Sequence, residues 1–239
     1  MHISTESVGG SSRGLQPVVF KEQQLYFGQL TSNQYVHSKF LAERYILQHM
    51  AEGRLNAKIL RAGNLASRTA DGEFQKNMNT NTSMGRLKAI KQLGMVPYAS
   101  TTQRVEFTPI DEAARAVVLL ASTPRENCVL HVSNNHLVPM EDVVERLSLV
   151  GTKPLRYVEN DEFGAALQQA MSNPEMAQSL SALVAYTPAA GREPEVMNWP
   201  STSFTVQILL RMGFHWNTTS ERYLDLMFDF LKGKGYFDF

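Results

Sequence analysis

Three short β-prone runs, at residues 2–5, 57–61 and 128–133, are separated by helical stretches rather than by hairpin turns. Strands joined through helices run parallel, because a tight turn can only return a strand antiparallel. The first run, His2-Ile3-Ser4-Thr5, ends in a small, polar turn, Ser7-Val8-Gly9-Gly10-Ser11-Ser12. A helix is predicted from about Gln34 to Glu52, with Gly53 placed to stop it. The second run leads into the turn Ala62-Gly63-Asn64, and another helix over 83–93 is followed by Gly94. A short strand at 105–108 precedes a helix over 109–120 that opens with Pro109, Asp111 and Glu112, as a helix N-terminus favours. This alternation predicts an α/β fold with a parallel, helix-covered sheet. From about Asn134 helices dominate, at 139–150, 162–171, 174–185, 204–212 and 220–232, with a Pro/Gly-rich loop at 187–200. The expected organisation is therefore an α/β part over 1–133 and a mainly helical lobe over 134–239.

Composition removes several classes of function. The 239 residues can bury a core without disulfides, and 43% hydrophobic with 19% charged residues is a globular balance. Twenty-three basic residues equal 23 acidic ones, so no net field draws the chain to nucleic acid or to an anionic membrane. No run reaches the ~18–20 apolar residues of a membrane span, and the first residues lack the charged-then-apolar pattern of a signal peptide. The single cysteine, Cys128, excludes internal disulfides and reads as a buried, inert thiol. A reducing cytoplasm suits this composition. His131 and His136 have no third ligand nearby, so no metal site is expected.

The residues with the clearest chemistry are Tyr35-Val36-His37-Ser38-Lys39. Positions i and i+4 share a helix face, so the Lys39 charge can sit beside the Tyr35 hydroxyl and favour its ionised form. Such a phenol serves as a general acid or base toward a carbonyl or alcohol. In an open parallel sheet, ligands bind beyond the carboxyl ends of the strands. The Thr5 turn, the start of the Tyr35 helix and the Gly63-Asn64 turn would then converge on one crevice. It would offer a hydroxyl donor, an acid/base, a cation and a glycine turn.

At these residues the chain resembles the extended short-chain dehydrogenase/reductases. More specifically, it resembles the thioester reductase domains that end nonribosomal peptide synthetases and carboxylic acid reductases, kin of the male-sterility fatty acyl reductases. The matching segments are His2-Ile3-Ser4-Thr5-Glu6-Ser7-Val8, Tyr35-Val36-His37-Ser38-Lys39-Phe40-Leu41-Ala42-Glu43, Leu60-Arg61-Ala62-Gly63-Asn64-Leu65, Asp71-Gly72-Glu73-Phe74-Gln75-Lys76-Asn77 and Phe107-Thr108-Pro109-Ile110-Asp111-Glu112-Ala113-Ala114. The resemblance implies the C-terminal part of a Rossmann-like, doubly wound parallel sheet with a helical substrate lobe. It implies that Thr5 hydrogen-bonds the substrate carbonyl and that Tyr35 donates the proton. Lys39 would tune Tyr35 and bind the nicotinamide ribose, and Ala62, Gly63 and Asn64 would lie against the nicotinamide. The implied reaction is hydride transfer from NADPH to an acyl or peptidyl thioester on the phosphopantetheine arm of a carrier protein. An aldehyde would be released, with a second transfer giving the alcohol in some relatives. Phe74, Gln75 and Asn77 are candidates for the pantetheine channel, or simply members of a polar surface loop.

The family's Gly-x-x-Gly-x-x-Gly phosphate loop should lie more than a hundred residues before the tyrosine, yet 34 residues precede Tyr35. The phosphate-binding half is thus expected to be missing, and Gly9-Gly10 to be a flexible turn. Another extended short-chain enzyme, such as a sugar-nucleotide epimerase or dehydratase, and an inactive fragment that only binds a partner are the alternatives. His37 is expected at the surface. Trp199 and Trp216 are expected to anchor the helical lobe, with the aromatic tail from Tyr223 to Phe239 packed within it.

Overall fold

The computed structural model describes all residues except 15, 77, 175, 178, 179, 181–194 and 239. Its central element is a three-stranded parallel sheet of β1 (His2–Thr5), β2 (Ile59–Ala62) and β3 (Val129–Val132), in that spatial order. The register aligns Ser4 with Arg61 and Arg61 with His131, and one residue later aligns Thr5 with Ala62 and Ala62 with Val132. Because side chains alternate across a strand, these two rows face opposite sides of the sheet. Among the described residues no strand pairs with the outer edge of β1.

The helices are α1 (Gln34–Ala51), α2 (Thr82–Leu93), α3 (Ile110–Ala121), α4 (Met140–Ser148), α5 (Asn160–Met171), α6 (Ser203–Arg211) and α7 (Glu221–Gly233). The Asn33 side chain starts α1 by accepting from the Tyr35 and Val36 amides at 2.9 and 3.3 Å. Gly94, at φ 73°, closes α2 in the left-handed region. The expected strand at 105–108 is instead two two-residue pieces, Arg104–Val105 and Thr108–Pro109. Pairings that periodicity did not indicate join Ser11–Arg13 to Glu195–Met197, Val19–Phe20 to Trp199–Pro200 and Met95–Pro97 to Arg156–Val158. These runs are too short to carry a repeat, and the partner strand supplies their order. Most of the helix expected at 174–185 lies outside the described residues.

The chain forms two compact units, but not on either side of residue 133. One comprises Met1–Leu65, Thr108–Asn135 and Ala190–Asn217; the other comprises Ala66–Phe107, His136–Ala189 and Thr218–Phe239. Each unit has its own apolar cluster, which explains the interleaving. Leu60, Ala116, Leu120, Leu130, Leu209, Phe214 and Trp216 bury together in the first. Phe74, Met84, Leu87, Val143, Leu147, Leu224 and Phe228 bury together in the second. Segment 66–107 therefore leaves the α/β part, while α6 and both tryptophans join it. Trp216 is buried there and Trp199 is 43% exposed, so neither anchors a helical lobe.

The Gly9-Gly10 turn is buried rather than flexible. A Cβ on Gly9 would lie 2.1 Å from the Phe20 ring, and one on Gly10 would lie 2.1 Å from the Leu30 carbonyl oxygen. Gly10 also has φ +55°, whereas Gly53 has φ +70° with nothing within 4 Å. Alanine at Gly53 therefore carries only the left-handed backbone cost of about 1–2 kcal/mol. Gly10→Ala adds a backbone collision and should cost at least ~1 kcal/mol more. Urea midpoints of the two variants, compared with the parent chain, measure the difference.

Candidate active site at the carboxyl ends of the strands

The site grows from the ends of β1 and β2 and the start of α1. Thr5 ends β1 and caps a short 3₁₀ turn, Glu6–Gly9, accepting from the Ser7 amide at 3.2 Å. Its own hydroxyl donates to Ser7 Oγ at 3.1 Å. Helix α1 packs against this turn and against β1. Lys39 Nζ donates to the Ile3 carbonyl at 3.3 Å and lies 5.9 Å from the centroid of the Tyr35 ring. The lysine thus ties the tyrosine's helix to the strand that carries Thr5. Tyr35 is 56% exposed, and its hydroxyl makes no hydrogen bond among the described residues.

Beyond β2, the Gly63 amide donates to the Val132 carbonyl at 3.1 Å, and Asn64 O accepts from the Thr108 amide at 2.9 Å. Thr108 Oγ1 in turn accepts from the Asn134 amide at 2.9 Å. Glu6 reaches past the end of β2 and accepts from Ser133 Oγ, just beyond β3, at 2.5 Å. The turn after β2 is thereby held from both sides. Tyr35 and Lys39 are brought together, and Thr5 is paired in register with Ala62. No hydrogen bond joins Thr5 to Tyr35 among the described residues.

One residue back from this rim lies a buried polar network. Arg61 and Glu43 are both fully buried. Arg61 Nε donates to both Glu43 oxygens at 3.1 Å, and Nη2 donates to Oε2 at 2.8 Å. Ser4 Oγ donates to the same carboxylate at 2.5 Å. Arg61 also donates to the Gln24 carbonyl at 3.2 Å, and its Nη1 lies 3.2 Å from His131 Nε2. Because Ser201 O, 2.8 Å from Nδ1, can only accept, His131 carries its proton on Nδ1 and accepts from Arg61 on Nε2. Burial, reinforced by the Arg61 charge, pushes the His131 imidazole down to about 3. Glu22, also buried, accepts from Thr205 Oγ1 at 3.0 Å.

Reading residues by type and spacing assigned no role to Glu43, Arg61, His131 or Glu6. A signal was present: an arginine inside the apolar run Ile59-Leu60-Arg61-Ala62 demands a buried acceptor. The acceptor sits one helical turn after Lys39. Asp111 and Glu112 open α3 as expected, and Glu112 is buried, accepting from the Asn217 amide and side chain. Burial raises the Glu112 carboxyl above its ordinary range, with the Asn217 amide opposing that shift.

The proposed channel residues lie in the other unit. Phe74 is 4% exposed within that unit's core, so it packs rather than lines a channel. Arg68 engages Asp71, at 2.6 Å, and Glu73 in the same turn. Gln75 is half-buried, and Asn77 lies outside the described residues. His37 is exposed and bonded to Thr31 Oγ1 at 3.1 Å. Cys128 is a half-buried free thiol.

The family comparison matches residues 1–117 to the male sterility protein family. That match covers 117 of the 239 residues, and Thr5, Tyr35, Lys39 and the Gly63 turn all lie within it. Three solved structures extend the likeness to nearly the whole chain. The thiolation-reductase di-domain of an archaeal nonribosomal peptide synthetase is 34% identical with TM-score 0.80, covering 98% of this chain and 49% of that one. The reductase domain of the aureusimine biosynthetic cluster is 24% identical with TM-score 0.80, covering 97% and 60%. UDP-glucuronic acid 4-epimerase from Bacillus cereus, solved with NAD, is 15% identical with TM-score 0.56, covering 98% and 61%. These last two show the fold alone. The chain therefore spans between about half and three fifths of the length of the structures it resembles. Curated proteins yield no match.

A nicotinamide nucleotide of the male sterility family type can be tested against the residues present. The nicotinamide end is compatible in its chemistry: Lys39 ties Tyr35 to β1, and β1 is paired in register with β2, which ends at the Gly63 turn. The pyrophosphate does not fit the Gly9-Gly10 backbone, because Phe20 and Leu30 occupy the space against it. The N-terminus of α1 has two of its amides taken by Asn33.

The His131 assignment sets an expected pH response. A folded value near 3 against an ordinary 6.5 means the unfolded chain holds the extra proton between those limits. The His131 contribution to stability is thus complete above about pH 6.5 and declines as pH falls toward 3. Long-range ¹H–¹⁵N NMR should show the His131 ring as a constant Nδ1-H tautomer from pH 8 to 5. A titrating ring there would contradict the assignment.

Proposed function

We propose that this chain carries the catalytic residues and substrate side of an NADPH-dependent reductase acting on carrier-bound thioesters. The observation that carries this reading is Lys39 bridging Tyr35 to the Thr5 strand at the carboxyl end of a parallel sheet. The 34% identity to a thiolation-reductase di-domain supports it further, since that relative joins a reductase to a carrier domain. The occupant of the site would be an acyl or peptidyl group on the phosphopantetheine arm of such a carrier.

When bound, NADPH supplies the hydride. Thr5, by rotating its hydroxyl away from Ser7, holds the thioester carbonyl oxygen. Tyr35 delivers a proton to that oxygen as negative charge develops on it, and Lys39 steadies the phenolate left behind. The C–S bond then breaks as the new hydroxyl returns its proton to the Tyr35 phenolate and the leaving thiolate takes up a proton in its place, giving an aldehyde and the free carrier thiol, so one hydride and one proton are consumed per thioester. Ala62, Gly63 and Asn64 would hold the nicotinamide, and Lys39 would also hold its ribose. Gln75 remains a candidate for the pantetheine arm.

The pyrophosphate needs backbone donors that the Gly9-Gly10 turn does not offer. We assign them to a phosphate-binding segment that would add to the edge of β1 with which no described strand pairs. On the 239 residues alone, calorimetry should detect no NADPH binding at micromolar concentrations; tight saturable binding would refute this assignment. In a reductase that includes the segment, Tyr35→Phe should slow single-turnover NADPH oxidation ~10²–10⁴-fold with little change in cofactor affinity. Lys39→Ala should lower both rate and cofactor affinity. Near-parental turnover in Tyr35→Phe would remove this tyrosine from the chemistry.

A further inference from the structure

Few side chains of helix α1 are fully buried, its other apolar residues being half-buried or exposed. Of its 18 residues only Val36 and Glu43 are buried, while Tyr35, Leu41 and Tyr45 are exposed. An apolar contact tolerates sliding, because it is non-directional. A charged carboxylate meeting a guanidinium through both oxygens does not, since its bonds fix distance and angle together. Glu43 stands four residues after Lys39 and eight after Tyr35, so all three lie along one stripe of the helix. Its partners stand on β1 and β2, at Ser4 and Arg61, the residues directly before Thr5 and Ala62. Arg61 is itself immobilised by the Gln24 carbonyl and by His131 on β3.

We propose that Glu43 is a positioning residue: its buried contacts to Arg61 and Ser4 set where Tyr35 and Lys39 stand relative to Thr5 and the Gly63 turn. Movement of α1 along its axis would carry Tyr35 with it, at about 1.5 Å per residue of slip. Losing the Glu43 charge would free Arg61 to seek other acceptors and would leave Lys39 as the remaining polar tether between α1 and β1. A displacement of about 1 Å is enough to slow a reaction ~10²-fold. This role rests on reading Tyr35 and Lys39 as the reacting pair.

The test uses the whole chain labelled with 3-fluorotyrosine, the Tyr35 ¹⁹F signal being assigned by its loss in Tyr35→Phe. Glu43→Gln, which keeps the side chain's length and removes its charge, should move that signal by more than its linewidth. Ser4→Ala, which removes only the 2.5 Å bond from β1, should move it less and in the same direction. Leu209→Ala, buried in the apolar cluster of the same unit, should lower stability while leaving the signal in place. Unchanged Tyr35 signals in folded Glu43→Gln and Ser4→Ala would overturn the proposal, as would an equal shift in Leu209→Ala. Should Glu43→Gln fail to fold, Ser4→Ala decides alone. The fluorine readout needs no turnover, so an inactive protein would count against the reductase reading and not against this one. In an active reductase, Glu43→Gln should lower kcat ~10–100-fold with the acyl KM unchanged.

Discussion

A guanidinium with no exposure to water cannot be left unpaired, and the unit that contains the sheet is arranged around that requirement. Arg61 lies mid-strand in β2, so alternation turns it to one face while Leu60 and Ala62 turn to the other. On the Leu60 face, apolar side chains of α3, α6 and the strands close a conventional core. On the Arg61 face, a carboxylate from α1, an imidazole from β3 and a carbonyl from the loop before α1 complete the guanidinium's bonds, and a hydroxyl from β1 donates to that carboxylate. Removing either charge of the Arg61–Glu43 pair costs about 3–5 kcal/mol, because the other charge stays buried. An apolar pair of the same volume could be as stable. What the ionic pair adds is direction, since a guanidinium–carboxylate contact has few acceptable geometries.

The neutral state of His131 follows from the same requirement. A protonated imidazole would place a second positive charge beside Arg61 where little solvent screens it. The Ser201 carbonyl orders the ring, and Thr205 Oγ1 meets the His131 backbone amide at 3.0 Å. Residues from three distant stretches of chain thus converge on one electrostatic solution. That is why α6, although it follows residue 134, belongs with the sheet rather than with the later helices.

The second unit is organised differently. Its core is almost wholly apolar, and the aromatic side chains of Tyr223, Phe228, Tyr236 and Phe237 supply much of it. Tyr223 still directs its hydroxyl to the Ser67 carbonyl at 3.0 Å. Burial there pushes the Tyr236 phenol up to about 12. Gly72 sits where a Cβ would lie 2.1 Å from the Leu226 carbonyl oxygen, so this glycine permits close approach of its turn to α7. Among the described residues no helix is long and apolar enough to cross a membrane.

Much of this architecture is legible in local chemistry alone. The three parallel strands, the helix opening at Gln34 and the tyrosine–lysine pair on it all follow from short-range rules of alternation, capping and i,i+4 spacing, which need no knowledge of distant residues. Glycine at 53 and 94 ended helices as their left-handed conformations require. What only the tertiary structure decided were the relations between residues far apart in sequence: which apolar stretch joins which core, that Gly9 and Gly10 are packed shut, that Phe74 is interior, and that Glu43 is the partner of Arg61. An arginine in a strand announces that it needs an acceptor but not where the acceptor lies. That answer depends on the register of three strands and one helix, and register is set by the whole unit at once.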